Sequence, residues 1–150
     1  MNIFISHEAE AVKEAVKFKE LLLAINDQNA IQLTSDWETI ESGEFWMSRI
    51  NDMLQNMDKM LVLITRKESF ANLWINFEVG VSIGKDIKPQ ILVFGGIPLS
   101  EMKPPINQIH VIGTGDTNRW VKLFESLGYQ IDAIAEKSLA ELFNPNRKGK

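Results

Sequence analysis

At 150 residues, with 45% hydrophobic and 24% charged side chains, the chain is one domain's worth of ordinary globular sequence. A formal charge of −4 with no basic excess argues against direct nucleic-acid binding, and the absence of cysteine excludes disulfides and thiol chemistry. Two histidines, His7 and His110, are too few for a histidine-rich metal site, and no apolar run reaches the length of a membrane span. The expectation is a single cytoplasmic domain over 1–150 without a metal, its last residues, 144–150, a flexible tail.

In chain order, residues 2–6 (NIFIS) read as a short buried strand. Ala9, Val12, Ala15, Val16, Phe18, Leu22, Leu23 and Ile25 then keep a helical stripe until Asn26-Asp27-Gln28-Asn29 breaks it. Residues 30–34 make a weak strand and 35–43 a polar loop. A second helix opens near Gly43, with Trp46, Ile50, Met53, Leu54 and Met57 at amphipathic spacing. Residues 60–65 (MLVLIT) are the strongest strand, and their unbroken apolar character suits a central parallel position. A helix ending near Gly84 follows, then a strand at 89–94, a proline-containing loop and a last short strand at 108–112. Asp116 or Thr117 caps a further helix that ends at Gly128, and 131–143 reads as one more amphipathic helix. Strands alternating with helices predict an α/β fold around a parallel sheet. Five strands with short connections predict the flavodoxin-like three-layer form, strand order 2-1-3-4-5.

The stretch 69–84, SFANLWINFEVGVSIG, is apolar nearly all round yet carries one acid, Glu78. Phe70, Leu73, Trp74, Phe77 and Val81 recur at helical spacing and are expected to form its apolar face, which Glu78 shares with Trp74 four residues before it. Ile75 and Ile83 leave the opposite side hardly more polar. A carboxylate on such a helix loses hydration, so it must be paired, raised in pKa or opened onto a pocket that needs it. Arg49, Arg66 and Lys85 are the candidate ion-pair partners; a catalytic acid in a cleft is the alternative. In an open parallel sheet the ligand crevice lies beyond the carboxyl ends of the strands, where strand order reverses. Those ends supply Ser6-His7, Thr34-Ser35-Asp36 and Thr65-Arg66-Lys67. If Asn72 rather than Ser69 caps the helix, Glu78 falls in its second turn, close to this edge.

Several standard signatures are missing: GxGxxG, the P-loop, GxSxG, HExxH and a cysteine nucleophile. A phosphorelay receiver needs an acidic pair after the first strand and an aspartate ending the third, where this chain has Ser6-His7 and Thr65. What is present resembles a bacterial TIR domain (Toll/interleukin-1 receptor type). FISH at 4–7, DWETIESGEFW at 36–46, LVLIT at 61–65 and WINFEVG at 74–80 stand in that family's order and spacing over roughly residues 2–113.

The resemblance implies an enzyme that cleaves NAD+ at the nicotinamide–ribose bond, with NAD+ as substrate rather than cofactor. Glu78 matches the catalytic glutamate, and Ser6 and His7 match the turn that lines the nucleotide site, with Asp36 and Trp74 as further substrate contacts. Residues 36–45 match the family's BB loop, which shapes the pocket and mediates self-assembly, here through Trp37, Glu38, Ile40, Glu41, Gly43 and Phe45. Antiphage defence signalling is the implied setting, with a defence-system sensor or effector protein as partner. A non-catalytic TIR module that works only by assembly is the rival. The chain departs from the better-known animal members in carrying His7 where they have an aromatic residue.

The chemistry suits so sparse a site. Nicotinamide leaves NAD+ as a neutral molecule, so one of the two carboxylates of a glycoside hydrolase becomes unnecessary. A single carboxylate can hold the ribose hydroxyls and stabilise an oxocarbenium-like transition state. The acceptor, water or an atom of the substrate itself, stays open. Trp74 divides evenly between core and ligand contact, and Trp46 reads as core. Trp37, in a polar stretch, reads as an interface or ligand group, and His7 as a hydrogen-bonded turn residue. Gly80 is expected to let the helix pack closely on a neighbour.

Overall fold

The computed structural model describes residues 1–39, 46–113 and 117–130. Short apolar runs form five parallel strands: β1 (Asn2–Ser6), β2 (Ala30–Leu33), β3 (Lys59–Ile64), β4 (Gln90–Val93) and β5 (Val111–Gly113). They make one sheet in the order β2-β1-β3-β4-β5, so the chain has the α/β flavodoxin-like topology. β3 lies at the centre and Met60 to Ile64 have no measurable exposure, as expected of a strand covered on both faces. β1 pairs with β2 at Ile5↔Leu33 and with β3 at Ser6↔Val62, which fixes the reversal point between β1 and β3.

Alternation along the strands divides the core in two. Ile3, Ile5, Leu61, Leu63 and Leu92 face α1 (Val12–Ile25) and a later helix, here α4 (Thr117–Ser126), which contribute Phe18, Leu22, Trp120 and Phe124. Phe4, Met60, Val62, Ile64, Ile91 and Val93 face the opposite layer. There α2 (Trp46–Asn56) supplies Ile50, Met53 and Leu54, with Met57 just beyond its end, and α3 (Leu73–Gly84) supplies Ile75 and Val79. No α-helix joins β4 to β5; the connection is two single 3-10 turns, Leu99–Glu101 and Ile106–Gln108, and buried Ile106 plugs the α3 side of the sheet. α4 ends in a Schellman arrangement, Tyr129 N–H donating to Phe124 O and Gly128 N–H to Glu125 O, with Gly128 at φ +79° as that turn requires.

Several boundaries differ from the sequence expectation. The first helix opens with a 3-10 turn, Ala9–Ala11, and the polar loop after β2 begins as another, Thr34–Thr39. The last strand starts at Val111 rather than 108, because Ile106–Gln108 is wound into a turn whose apolar residue is used as a plug. The expected helix at 131–143, the tail at 144–150 and Asp116 lie outside the described residues. Among the described residues, no helix is long and apolar enough to cross a membrane.

The rotation of α3 also corrects the expectation. Ile75, Glu78, Val79 and Ser82 point inward, whereas Leu73 and Phe77 lie on the solvent side. The helix is apolar around its whole circumference, so periodicity alone could not choose the buried face. Trp74 is half-buried, on the side of the helix nearest Glu78.

Candidate functional site

Asn72 sets the start of α3: its Oδ1 accepts from Trp74 N–H at 2.9 Å and Ile75 N–H at 3.1 Å. Glu78 thereby falls in the second turn, beside the carboxyl ends of β1 and β2, and is completely buried. Ser6 Oγ, on the last residue of β1, lies 2.5 Å from its Oε2, and Thr34 Oγ1, just past β2, lies 3.2 Å from both carboxyl oxygens. The Trp74 side chain is a third hydrogen-bond partner. Each of these groups has one proton to give, so together they suit an ionised, acceptor-only carboxylate. Thr34 is itself positioned, its oxygen accepting from His7 N–H at 3.3 Å.

Burial nevertheless dominates. It pushes Glu78 up from 4.5 to about 7, against the downward pull of Ser6, Thr34 and Trp74. Near neutral pH the acid is therefore divided between its charged and neutral forms. None of the expected cations meets it. Arg66 is committed to Glu8 and Glu10, Lys85 donates to the carbonyls of Leu54 and Gln55, and Arg49 is exposed.

A second buried acid stands at the same edge, and sequence reasoning missed it. Glu8 accepts from Arg66 Nε at 2.8 Å and Nη2 at 2.9 Å, from Ser69 Oγ at 2.5 Å and from Thr65 Oγ1 at 3.4 Å. Burial raises its pKa, but these hydrogen bonds and the guanidinium charge outweigh burial and leave it below the ordinary value. The only available signal was its place, two residues after Ser6 at the end of β1.

The other expected residues scatter in role. His7 is buried, with Nδ1 2.8 Å from Glu8 O and Nε2 3.1 Å from Ser35 Oγ. Burial lowers its pKa, so the neutral ring carries its proton on Nδ1, facing the carbonyl, and Nε2 accepts from Ser35. That is the hydrogen-bonded turn role. Asp36 turns back on its own strand, its Oδ2 accepting from Leu33 N–H at 2.8 Å and pairing with Lys19 at 3.1 Å. Trp37 and Glu38 belong by backbone to the turn Thr34–Thr39, while Ile40, Glu41, Gly43 and Phe45 lie outside the described residues. Gly80 is exposed, and among the described residues nothing lies within 4 Å of the point where a side chain's Cβ would stand, so they show none of its expected close packing.

A cavity of about 520 Å³ at the opposite, amino-terminal edge of the strands is lined by Asp58, Lys59, Asp86, Lys88, Gln90 and Ser126 among others, but includes no buried acid. Among the described residues no set of His, Asp or Glu gathers that could hold a metal ion. The arrangement at Glu78 can offer a desolvated carboxylate to a cationic or electron-poor centre. No family model matches this chain and no curated protein matches it, so its chemistry is read from its own geometry.

Proposed function

We propose that the protein is a TIR-type NAD+ glycohydrolase or cyclase in which Glu78 promotes cleavage of the nicotinamide–ribose bond. One observation carries the reading. Glu78 is wholly buried, met by hydroxyl and indole donors but by none of the expected cations, at the edge where strand order reverses. A structural acid so buried is ordinarily balanced by a cation. Here the negative potential suits a positive charge that arrives with the substrate.

NAD+ carries that charge on its nicotinamide ring, and in the transition state it passes to the ribose. As the bond from the ribose anomeric carbon to the ring nitrogen breaks, its electron pair stays with nicotinamide, which leaves neutral. The Glu78 carboxylate stabilises the oxocarbenium-like ribose. Water then adds and loses a proton to give ADP-ribose, or a nitrogen or hydroxyl of the substrate's own adenine or ribose adds and loses a proton to give a cyclic ADP-ribose one water lighter. Ser6 and Thr34 hold the carboxylate in place, with the half-buried Trp74 hydrogen-bonded beside it. The TIR resemblance supports two further parts of the proposal: self-assembly through residues 36–45 and a role in antiphage defence with a sensor or effector partner.

The test is nicotinamide release from NAD+ across a range of protein concentrations, with mass analysis of the other product. Wild type should release nicotinamide, with specific activity rising with concentration, and Trp37→Ala should lose that rise. Glu78→Gln should lower turnover by about a hundredfold or more. Equal turnover in wild type and Glu78→Gln would remove Glu78 from the role. The rival is a non-catalytic assembly module, and wild type that makes no nicotinamide at any concentration would decide for it over the enzyme.

A further inference from the structure

Glu78 is divided between two charge states near neutral pH, and its three partners do not serve the two equally. An ionised carboxyl group only accepts hydrogen bonds, whereas a neutral one must also donate. The Trp74 indole N–H is a donor only and can take nothing from a neutral Glu78. Ser6 Oγ, fully buried and 2.5 Å from Oε2, has no second acceptor for its hydrogen among the described residues. Were it to accept from Glu78, that hydrogen would be buried without a partner, which is costly. Thr34 is different. Its Oγ1 lies 3.2 Å from both carboxyl oxygens and 3.4 Å from Ile5 O, and it accepts from His7 N–H at 3.3 Å. A hydroxyl oxygen has two lone pairs, so one remains to accept from Glu78.

We propose that Thr34 is a positioning residue whose hydroxyl turns between two acceptors, donating to the Glu78 carboxylate and, when Glu78 is protonated, to Ile5 O. In the second arrangement the Glu78 O–H donates to Thr34 Oγ1, while Ser6 and Trp74 go on donating to the carboxyl group. One proton is taken from water and returned to it, and no other bond is made or broken. Each buried hydrogen keeps an acceptor in both states, so the acid changes charge without any heavy atom having to move. No charged group of a neighbouring element is placed to take over this part among the described residues. On β1 and beyond it, neutral His7 turns to Glu8 O and Ser35, and Glu8 is held by Arg66. After β2, Asp36 is held by Lys19 and Leu33 N–H, and on α2 Arg49 and Asp52 are exposed. The bearing on catalysis rests on the proposed reaction, in which the ionised form stabilises a cationic ribose. The turn of the hydroxyl does not.

Carbon NMR of the full chain without NAD+, from pH 5 to pH 9, tests the switch apart from any activity. The Glu78 Cδ signal, assigned by its loss in Glu78→Gln, should titrate, and the Ile5 carbonyl carbon should move with the same midpoint. That carbon should move downfield as pH falls, the sense of a gained hydrogen bond. Thr34→Ser, which keeps the hydroxyl, and Ser6→Ala should both preserve the Ile5 response. Thr34→Val and Thr34→Ala should lose it although Glu78 still titrates. An Ile5 carbonyl that stays still in wild type while Glu78 Cδ titrates overturns the proposal. A response that survives without the Thr34 hydroxyl also overturns it, since the field of the carboxylate would then be the cause. Loss of the response in Ser6→Ala would give the part to Ser6, and a Glu78 that does not titrate at all would leave nothing to switch; either result sinks the idea. None of these outcomes depends on nicotinamide release, so the switch and the NAD+ reading can fail separately.

Discussion

Glu78 and Glu8 stand at one sheet edge, and their surroundings shift their pKa values in opposite directions. Glu8 has a guanidinium and two hydroxyls and stays ionised; Glu78 has hydroxyls and an indole, and burial wins. The difference has a definite sign in stability. Between its ordinary value of 4.5 and about 7, Glu78 binds more protons folded than unfolded, so its contribution to stability falls as pH rises through that window and is level above it. Glu8 runs the other way: its contribution is present above its ordinary value and is lost as pH falls through its lowered folded value. Glu78→Gln removes the first slope. Urea unfolding at pH 8 and pH 5 should show the variant gaining up to about 3 kcal/mol more over wild type at pH 8. An identical difference at the two pH values would mean that Glu78 does not carry this proton. Glu78 was legible in the sequence because an acid inside an apolar helix is conspicuous. Glu8 was not, because beside Glu10, Lys13 and Glu14 it reads as one more solvated charge.

At the scale of the element, α3 depends on its first turn. Asn72 caps Trp74 and Ile75, in the turn from which the Trp74 ring and, one turn on, the Glu78 carboxyl are placed. The preceding turn, Lys67–Ala71, brings Ser69 to Glu8, so the cap joins the settings of both acids. Asn72→Ala should cost about 1 kcal/mol in urea unfolding, and Asn72→Asp, which keeps an accepting oxygen, should recover most of it. No loss in the alanine variant would show that tertiary packing alone sets the register. The same helix marks the limit of pattern reading. α2 was readable because apolar and polar faces alternate at Trp46, Ile50, Met53 and Met57. In α3 both faces are apolar, so its existence and its acid were legible while its rotation was not. Ser82 illustrates the difficulty, a hydroxyl on the buried side that finds Ile87 O at 2.6 Å.

For the whole molecule, the strand order was legible because each strand lies between short connections and the central one is apolar throughout. The site's partnership was less so, since Ser6, Thr34 and Glu78 are brought together only by the parallel register of β1 and β2 and the docking of α3. Neither is written in local pattern. The connection from β4 to β5 has a consequence of its own. Where β1 and β3 are roofed by full helices on both sides, the β5 edge has on one side, among the described residues, only the turn that inserts Ile106. β5 is also three residues long and paired along a single edge. Withdrawing one side chain therefore uncovers this end of the sheet without disturbing the half that holds Glu78. Amide hydrogen exchange should find Ile112 and Gly113 opening about tenfold or more faster than Phe4 or Val62, as a separate cooperative unit. Uniform exchange across all five strands would mean that the sheet breathes only as a whole. Faster opening at the β5 end would give the molecule one stiff half that holds Glu78 and one compliant half able to absorb strain.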